Sequence, residues 1–251
     1  MDGRTSRVGS LKREPVVAGS DMAQLLTLAN AVVAVLPAAA VFFWAYGRYD
    51  GMFRDNVVFL YFIGGLLMGG FLGFMTLLAY SSLGALVAIV LIMVLLPMGL
   101  TVGIDRRKWQ GERHAIFNGG AFGLGVSVMF AFSLLFYAYR SFSWIGLGQG
   151  LLVATGLAGL FFGLGLLAGN GVRLRTQFRL AFLGMAIVLA PVVFLGQIVS
   201  ELVTGHAWLF PALLALYGAI VGVAAERRLL IEGIAPDSRK ERRRRQRAEQ
   251  A

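Results

Sequence analysis

The chain has 251 residues, of which 58% are hydrophobic and only 14% charged, and its mean hydropathy is +0.75. An ordinary globular chain is about 45–50% apolar and about 25% charged, so a soluble domain is excluded; the absence of cysteine also excludes disulfides, thiolate metal sites and cysteine nucleophiles. The formal charge of +10 gathers mostly at one end of the chain, so its placement says more than its sum.

Residues 1–21 mix Arg4, Arg7, Lys12 and Arg13 with Asp2, Glu14 and Asp21, show no apolar periodicity, and read as a flexible N-terminal arm. The apolar stretch 22–46 would be about 36 Å long as a helix and crosses a hydrocarbon core of about 30 Å. It reads as a retained span, because a signal peptide has a shorter apolar region and a small-residue cleavage site. Residues 57–104 are twice what one crossing needs and divide into two helices at Tyr80-Ser81-Ser82-Leu83-Gly84, where Ser and Gly supply turn geometry. Further spans are expected at 115–139, 145–168, 180–203 and 208–225, with a solvated run from Glu226 on. The expected fold is all-α: a polytopic transmembrane helical bundle of about seven spans over 22–225, followed by a basic tail, 226–251.

Alternate segments divide the basic residues unevenly. One side collects Arg48 and Arg54, then Arg106, Arg107, Lys108 and Arg113, then Arg173, Arg175 and Arg179, and nine more in the tail; the other has four in the arm and Arg140. Lys and Arg favour the cytoplasmic side, which predicts a multi-pass protein of the cell membrane with its C-terminus in the cytoplasm.

Glycine, at 33 residues, recurs at four-residue spacing within the spans: Gly65, Gly69 and Gly73; Gly119 and Gly123; Gly159 and Gly163. That spacing puts small residues on one helix face, where backbones can approach closely. Pro37, Pro97 and Pro191 fall inside spans, where each removes a backbone donor.

Ionisable groups inside a membrane are the first functional suspects, yet here almost none lie deep. The weak catalytic candidates are Glu112 and His114 at the inner edge of the fourth span, and Glu201 and His206 near the outer end of the sixth. The expected topology puts these pairs on opposite faces, so they do not share a metal, and zinc normally needs three or four protein ligands. No metal or cofactor is expected. Gly146-x-Gly148-x-Gly150 lacks the strand and spacing of a phosphate loop, and no lysine in the last span could bind retinal. The C-terminal run containing Arg242, Arg243, Arg244, Arg245 and Arg247 is the strongest charge feature. Anionic lipid headgroups are its expected partner, at about 1 kcal/mol per basic residue near the surface; a membrane-protein partner fits as well, and nucleic acid is not expected.

One block resembles a known family. Asp105-Arg106-Arg107-Lys108 through Ile116-Phe117-Asn118-Gly119-Gly120-Ala121-Phe122-Gly123-Leu124-Gly125-Val126 is similar to the PrsW intramembrane proteases, in which a charged loop leads into a Gly-Leu-Gly helix followed by a Glu. Gly159-Leu160-Phe161-Phe162-Gly163-Leu164-Gly165, with the basic loop and Leu183-Gly184-Met185-Ala186-Ile187-Val188-Leu189, resembles the family's segment before its His. The resemblance covers about 105–197 and implies a membrane-embedded metalloprotease. The catalytic positions depart from it: Phe130 stands where the family has Glu, Pro191 where it has His, and Val94-Leu95-Leu96-Pro97-Met98-Gly99 offers no second Glu. No catalytic residue carries over, which implies a noncatalytic relative acting as a scaffold, partner-binding or regulatory protein. The alternatives are an active intramembrane protease and a small-solute or lipid transporter, the latter suggested by the quasi-repeat of Phe122-Gly123-Leu124-Gly125 in Phe162-Gly163-Leu164-Gly165.

Overall fold

A run of apolar residues in hydrocarbon has to satisfy its own backbone N–H and C=O groups, and the helix does this within one segment. The computed structural model describes residues 17–49, 53, 55–78, 114–138, 143–174 and 208–231. Five helices account for nearly all of them: α1 (Val17–Tyr46), α2 (Asp55–Leu78), α3 (His114–Ala138), α4 (Trp144–Leu174) and α5 (Leu209–Ala225), the last continuing into a π-helical turn, Glu226–Ile231. All five are long and apolar enough to cross a membrane. They coincide with five of the expected spans, α2 taking the first part of the 57–104 run, and α1 begins at Val17, ahead of the apolar stretch. The expected spans after the 80–84 turn and at 180–203, and that turn itself, lie outside the described residues.

Three hydroxyls within the helices are satisfied locally. The hydroxyls of Ser127, Ser133 and Thr155 donate to the carbonyls of Leu124, Met129 and Leu151 at 2.7, 2.8 and 2.7 Å, a common way to seat a hydroxyl in an apolar helix. Pro211 sits in the first turn of α5, where its missing N–H has no helical acceptor to lose. Pro37 lies well inside α1, which runs continuously past it.

The helices α2, α3, α4 and α5 pack in that order as a row, and α1 lies over the seam between α3 and α4. Their directions follow from which residues meet. Gly65, Gly69 and Gly73 of α2 face Phe122, Val126 and Ser133 of α3 in rising order, so α2 and α3 are parallel. Ala115, Gly119 and Phe161 meet Gly169, Gly165 and Gly123, so α3 and α4 are antiparallel. Gly148, Gly156 and Gly159 of α4 meet Trp208, Leu214 and Gly218, which makes α4 and α5 parallel as well.

Backbone touches backbone along all three seams. A Cβ on Gly65, Gly69, Gly119, Gly123, Gly165, Gly169 or Gly218 would fall under 3.0 Å from a carbonyl oxygen of the neighbouring helix, and one on Gly156 would lie 2.6 Å from the Leu214 carbonyl. The small residues thus line the seams, as the four-residue spacing predicts, and the outer surface carries many large apolar side chains: Phe43 is 76% exposed and Leu67 74%. Water would not tolerate so continuous an apolar exterior; lipid solvates it.

Two neighbouring glycine pairs separate this packing role from mere helix composition. Gly64 and Gly70 meet nothing closer than side-chain atoms of Phe122 and Met129 at 3.5 Å, whereas Gly65 and Gly69 face backbone. Gly65→Ala and Gly69→Ala should each destabilise the detergent-solubilised protein by about 1–3 kcal/mol through overpacking, and Gly64→Ala and Gly70→Ala should leave it unchanged or slightly firmer. Thermal unfolding followed by circular dichroism reads the difference, and four equal values would refute the backbone contact.

Candidate functional site

The helix directions gather one set of ends: the C-terminal ends of α1, α4 and α5 and the N-terminal ends of α2 and α3. The aromatic-dense segment at the end of α1 secures this end. Tyr46 is buried, and its hydroxyl donates to the Phe117 carbonyl of α3 at 2.5 Å. Its ring stacks on Phe42 at 4.5 Å and meets Phe53 edge-on at 5.2 Å, while Phe53 and Tyr49 pack on Phe117 at 5.2 and 5.7 Å. Gly120 makes room, since a Cβ there would lie 3.0 Å from the Tyr46 hydroxyl.

Beside this cluster lies an ion pair. Glu226, the first residue of the π-helical turn, is 1% exposed, and its carboxylate accepts from Arg48 at 3.4 Å; the Arg48 side chain is 55% exposed and its guanidinium lies 4.8 Å from the Trp44 ring centroid. The pair ties the end of α1 to the end of α5, and the solvated run expected from Glu226 therefore does not begin at that residue. A carboxylate taken out of water requires a partner, and the π turn, a feature often found at functional positions, sets it in place. The Tyr49 phenol is held above its ordinary range, first by burial and then by the Glu226 carboxylate, with Arg48 opposing.

A crevice of about 450 Å³ opens between α1 and α2 at the same end, walled by Phe42, Phe43, Tyr46, Phe53 and Phe59, with Asp55 and Asn56 at its polar edge. Two buried amides, Asn30 and Asn118, have side-chain nitrogens without an acceptor among the described residues.

The weak catalytic candidates are not brought together by anything described. His114 opens α3; Glu112, Glu201 and His206 lie outside the described residues, as do Arg242, Arg243, Arg244, Arg245 and Arg247. Among the described residues no group of three or more His, Asp or Glu is placed to hold a metal ion. Phe130 packs edge-on against Phe161 at 5.7 Å, and Pro191 lies outside the described residues. Gly119 and Gly123 of α3 abut Gly165 and Phe161 of α4. Comparison with family models, curated proteins and solved structures finds no match for this chain.

Glu226 and the α1–α2 crevice were the features that residue-by-residue reading passed over. The signal for the second was present in the aromatic density of Phe42-Phe43-Trp44-Ala45-Tyr46 ahead of Asp55.

Because Arg48 is half exposed, its coupling to Glu226 should be modest, below about 2 kcal/mol, between surface and buried pairs. Arg48→Ala should lower stability and Glu226→Gln in the same chain should recover part of the loss; additive losses in the double variant would show the pair to be uncoupled. Tyr46→Phe should cost about 1 kcal/mol, the usual net value of one hydrogen bond, and an unchanged midpoint would show the hydroxyl contact to be idle.

Proposed function

We propose that this chain is a noncatalytic, seven-span scaffold that carries a polybasic surface on the cytoplasmic face of the cell membrane and binds partners there and along its lipid-facing helices. The observation that carries this reading is the gathering at one end of Arg48, the start of α3, the end of α4 and the turn that leads into the tail. Those are the ends adjoining the basic segments of the sequence, and basic segments favour the cytoplasm.

The helix directions support the span count. α2 and α3 are parallel, as are α4 and α5, and this favours a further crossing in each of the intervals 79–113 and 175–207. Each interval is long enough for one helix of about 20 residues, in keeping with a reading of seven spans. With the tail in the cytoplasm, Arg242, Arg243, Arg244, Arg245 and Arg247 meet anionic headgroups at about 1 kcal/mol each. In this reading the similarity to PrsW proteases belongs to a relative without the catalytic Glu and His.

Transport is the second reading, and the same directions favour it. Residues 55–138 and 144–225 each begin and end on parallel helices, and the two units run in opposite senses, the arrangement of inverted repeats in transporters.

The absence of native cysteine makes single-cysteine labelling clean. In intact cells, Ser141→Cys should react with an impermeant thiol reagent and Gln250→Cys should react only after lysis; both on one side would refute an odd number of crossings between them. A fluorophore attached to the Gln250→Cys variant should leave anionic nanodiscs when salt is raised or when the five arginines become alanine, and a signal indifferent to both would remove the lipid-surface role. Proteoliposomes should move no ion or solute tracer above protein-free vesicles; reproducible flux would replace the scaffold with a transporter.

A further inference from the structure

The crevice between α1 and α2 has the chemistry of an ammonium site. We infer that it holds the headgroup of an aminophospholipid of the phosphatidylethanolamine type, with the ammonium at Asp55 and Asn56 and the adjoining glycerol and acyl carbons against Phe42, Phe43 and Phe59.

Position identifies a lipid as the occupant. The crevice lies where α1 ends and α2 begins, at headgroup depth for helices that span a bilayer, and it opens outward: Phe43 is 76% and Phe59 61% exposed. A lipid diffusing along the bundle enters sideways without passing through the interior. Its volume, about 450 Å³, falls within the range of about 300–1,000 Å³ typical of small-ligand pockets.

Charge selects the headgroup. Asp55 is the one charged side chain among the described residues lining the crevice, and it makes no hydrogen bond or ion pair with any described residue. It opens α2, whose N-terminus carries roughly half a positive charge; a full carboxylate charge outweighs that, so the described lining residues offer a cation one negative partner. The phosphatidylglycerol headgroup has no ammonium to offer that carboxylate. Aromatic rings around a cation add attraction through their faces and edges of opposite sign. The primary ammonium has three N–H donors for the Asp55 carboxylate and the Asn56 side-chain oxygen; choline, fully methylated, has none, so hydrogen bonding separates phosphatidylethanolamine from phosphatidylcholine. This assignment is independent of the tail and of the span count.

The full chain, purified in detergent and offered equimolar phosphatidylethanolamine, phosphatidylcholine and phosphatidylglycerol, should retain the first over each of the others in native mass spectrometry. One charge-assisted contact with aromatic support corresponds to a preference of about tenfold. Asp55→Asn should bring the ratios close to one, Asn56→Leu should narrow them, and Leu67→Ala, on the lipid face of α2 away from the crevice, should leave them unchanged. Equal retention of all three lipids would reduce the crevice to an acyl-chain groove, retention of phosphatidylcholine at the level of phosphatidylethanolamine would remove the hydrogen-bonding basis, and a preference surviving both Asp55→Asn and Asn56→Leu would place the lipid elsewhere; each overturns the inference.

Discussion

Contact between helix backbones, made possible by glycine, is the constraint on which the rest of this structure depends. Lipid gives helices no hydrophobic reason to associate, because the tails outside are as apolar as the side chains inside. What remains is dispersion and close fit, each atom pair contributing only about 0.1–0.2 kcal/mol, so the helices cohere only where many atoms approach at once. Gly65 and Gly69 on α2, Gly119 and Gly123 on α3, Gly165 and Gly169 on α4, and Gly218 on α5 provide that approach on three successive seams. Small residues therefore hold the seams, and Phe161, Phe162, Leu124 and Leu166 fill the buried space beside them.

Those seams also fix the helix directions, and through them the electrostatics. Parallel pairing of α2 with α3 and of α4 with α5, joined by the antiparallel α3–α4 seam, sends five helix termini to one end. There the aromatic cluster around Tyr46 holds α1 to α3, and Arg48 holds it to Glu226 beyond α5. In the sequence, basic segments adjoin those termini, while the described spans stay apolar. The proposed cytoplasmic, lipid-facing role rests on this asymmetry.

Hydropathy located all five described helices because crossing a bilayer demands length and apolarity, and both are local properties of a segment. Four-residue glycine spacing likewise marked the packing faces at Gly65, Gly119 and Gly159, since it reports which side of a helix is small. It does not report the partner: nothing in the spacing says that Gly119 meets Gly165, or that α2 and α3 run the same way. Small-residue patterns of this kind arise wherever two helices pack closely. Glu226 was illegible for another reason. A charged residue after an apolar run reads as the start of water, and its partner Arg48 lies 178 residues away in the chain, a pairing that only the fold supplies.

The parallel arrangement of α2 and α3 can be measured directly with pairs of spin labels on cysteines introduced into a chain that has none of its own. A label at Asp55 should lie close to one at His114, across a single helix spacing of about 8–10 Å between axes, and far from one at Ala138, by roughly the length of α3, about 36 Å at 1.5 Å per residue. The reverse order of the two distances would contradict the seam, and with it the helix directions from which the basic end is built.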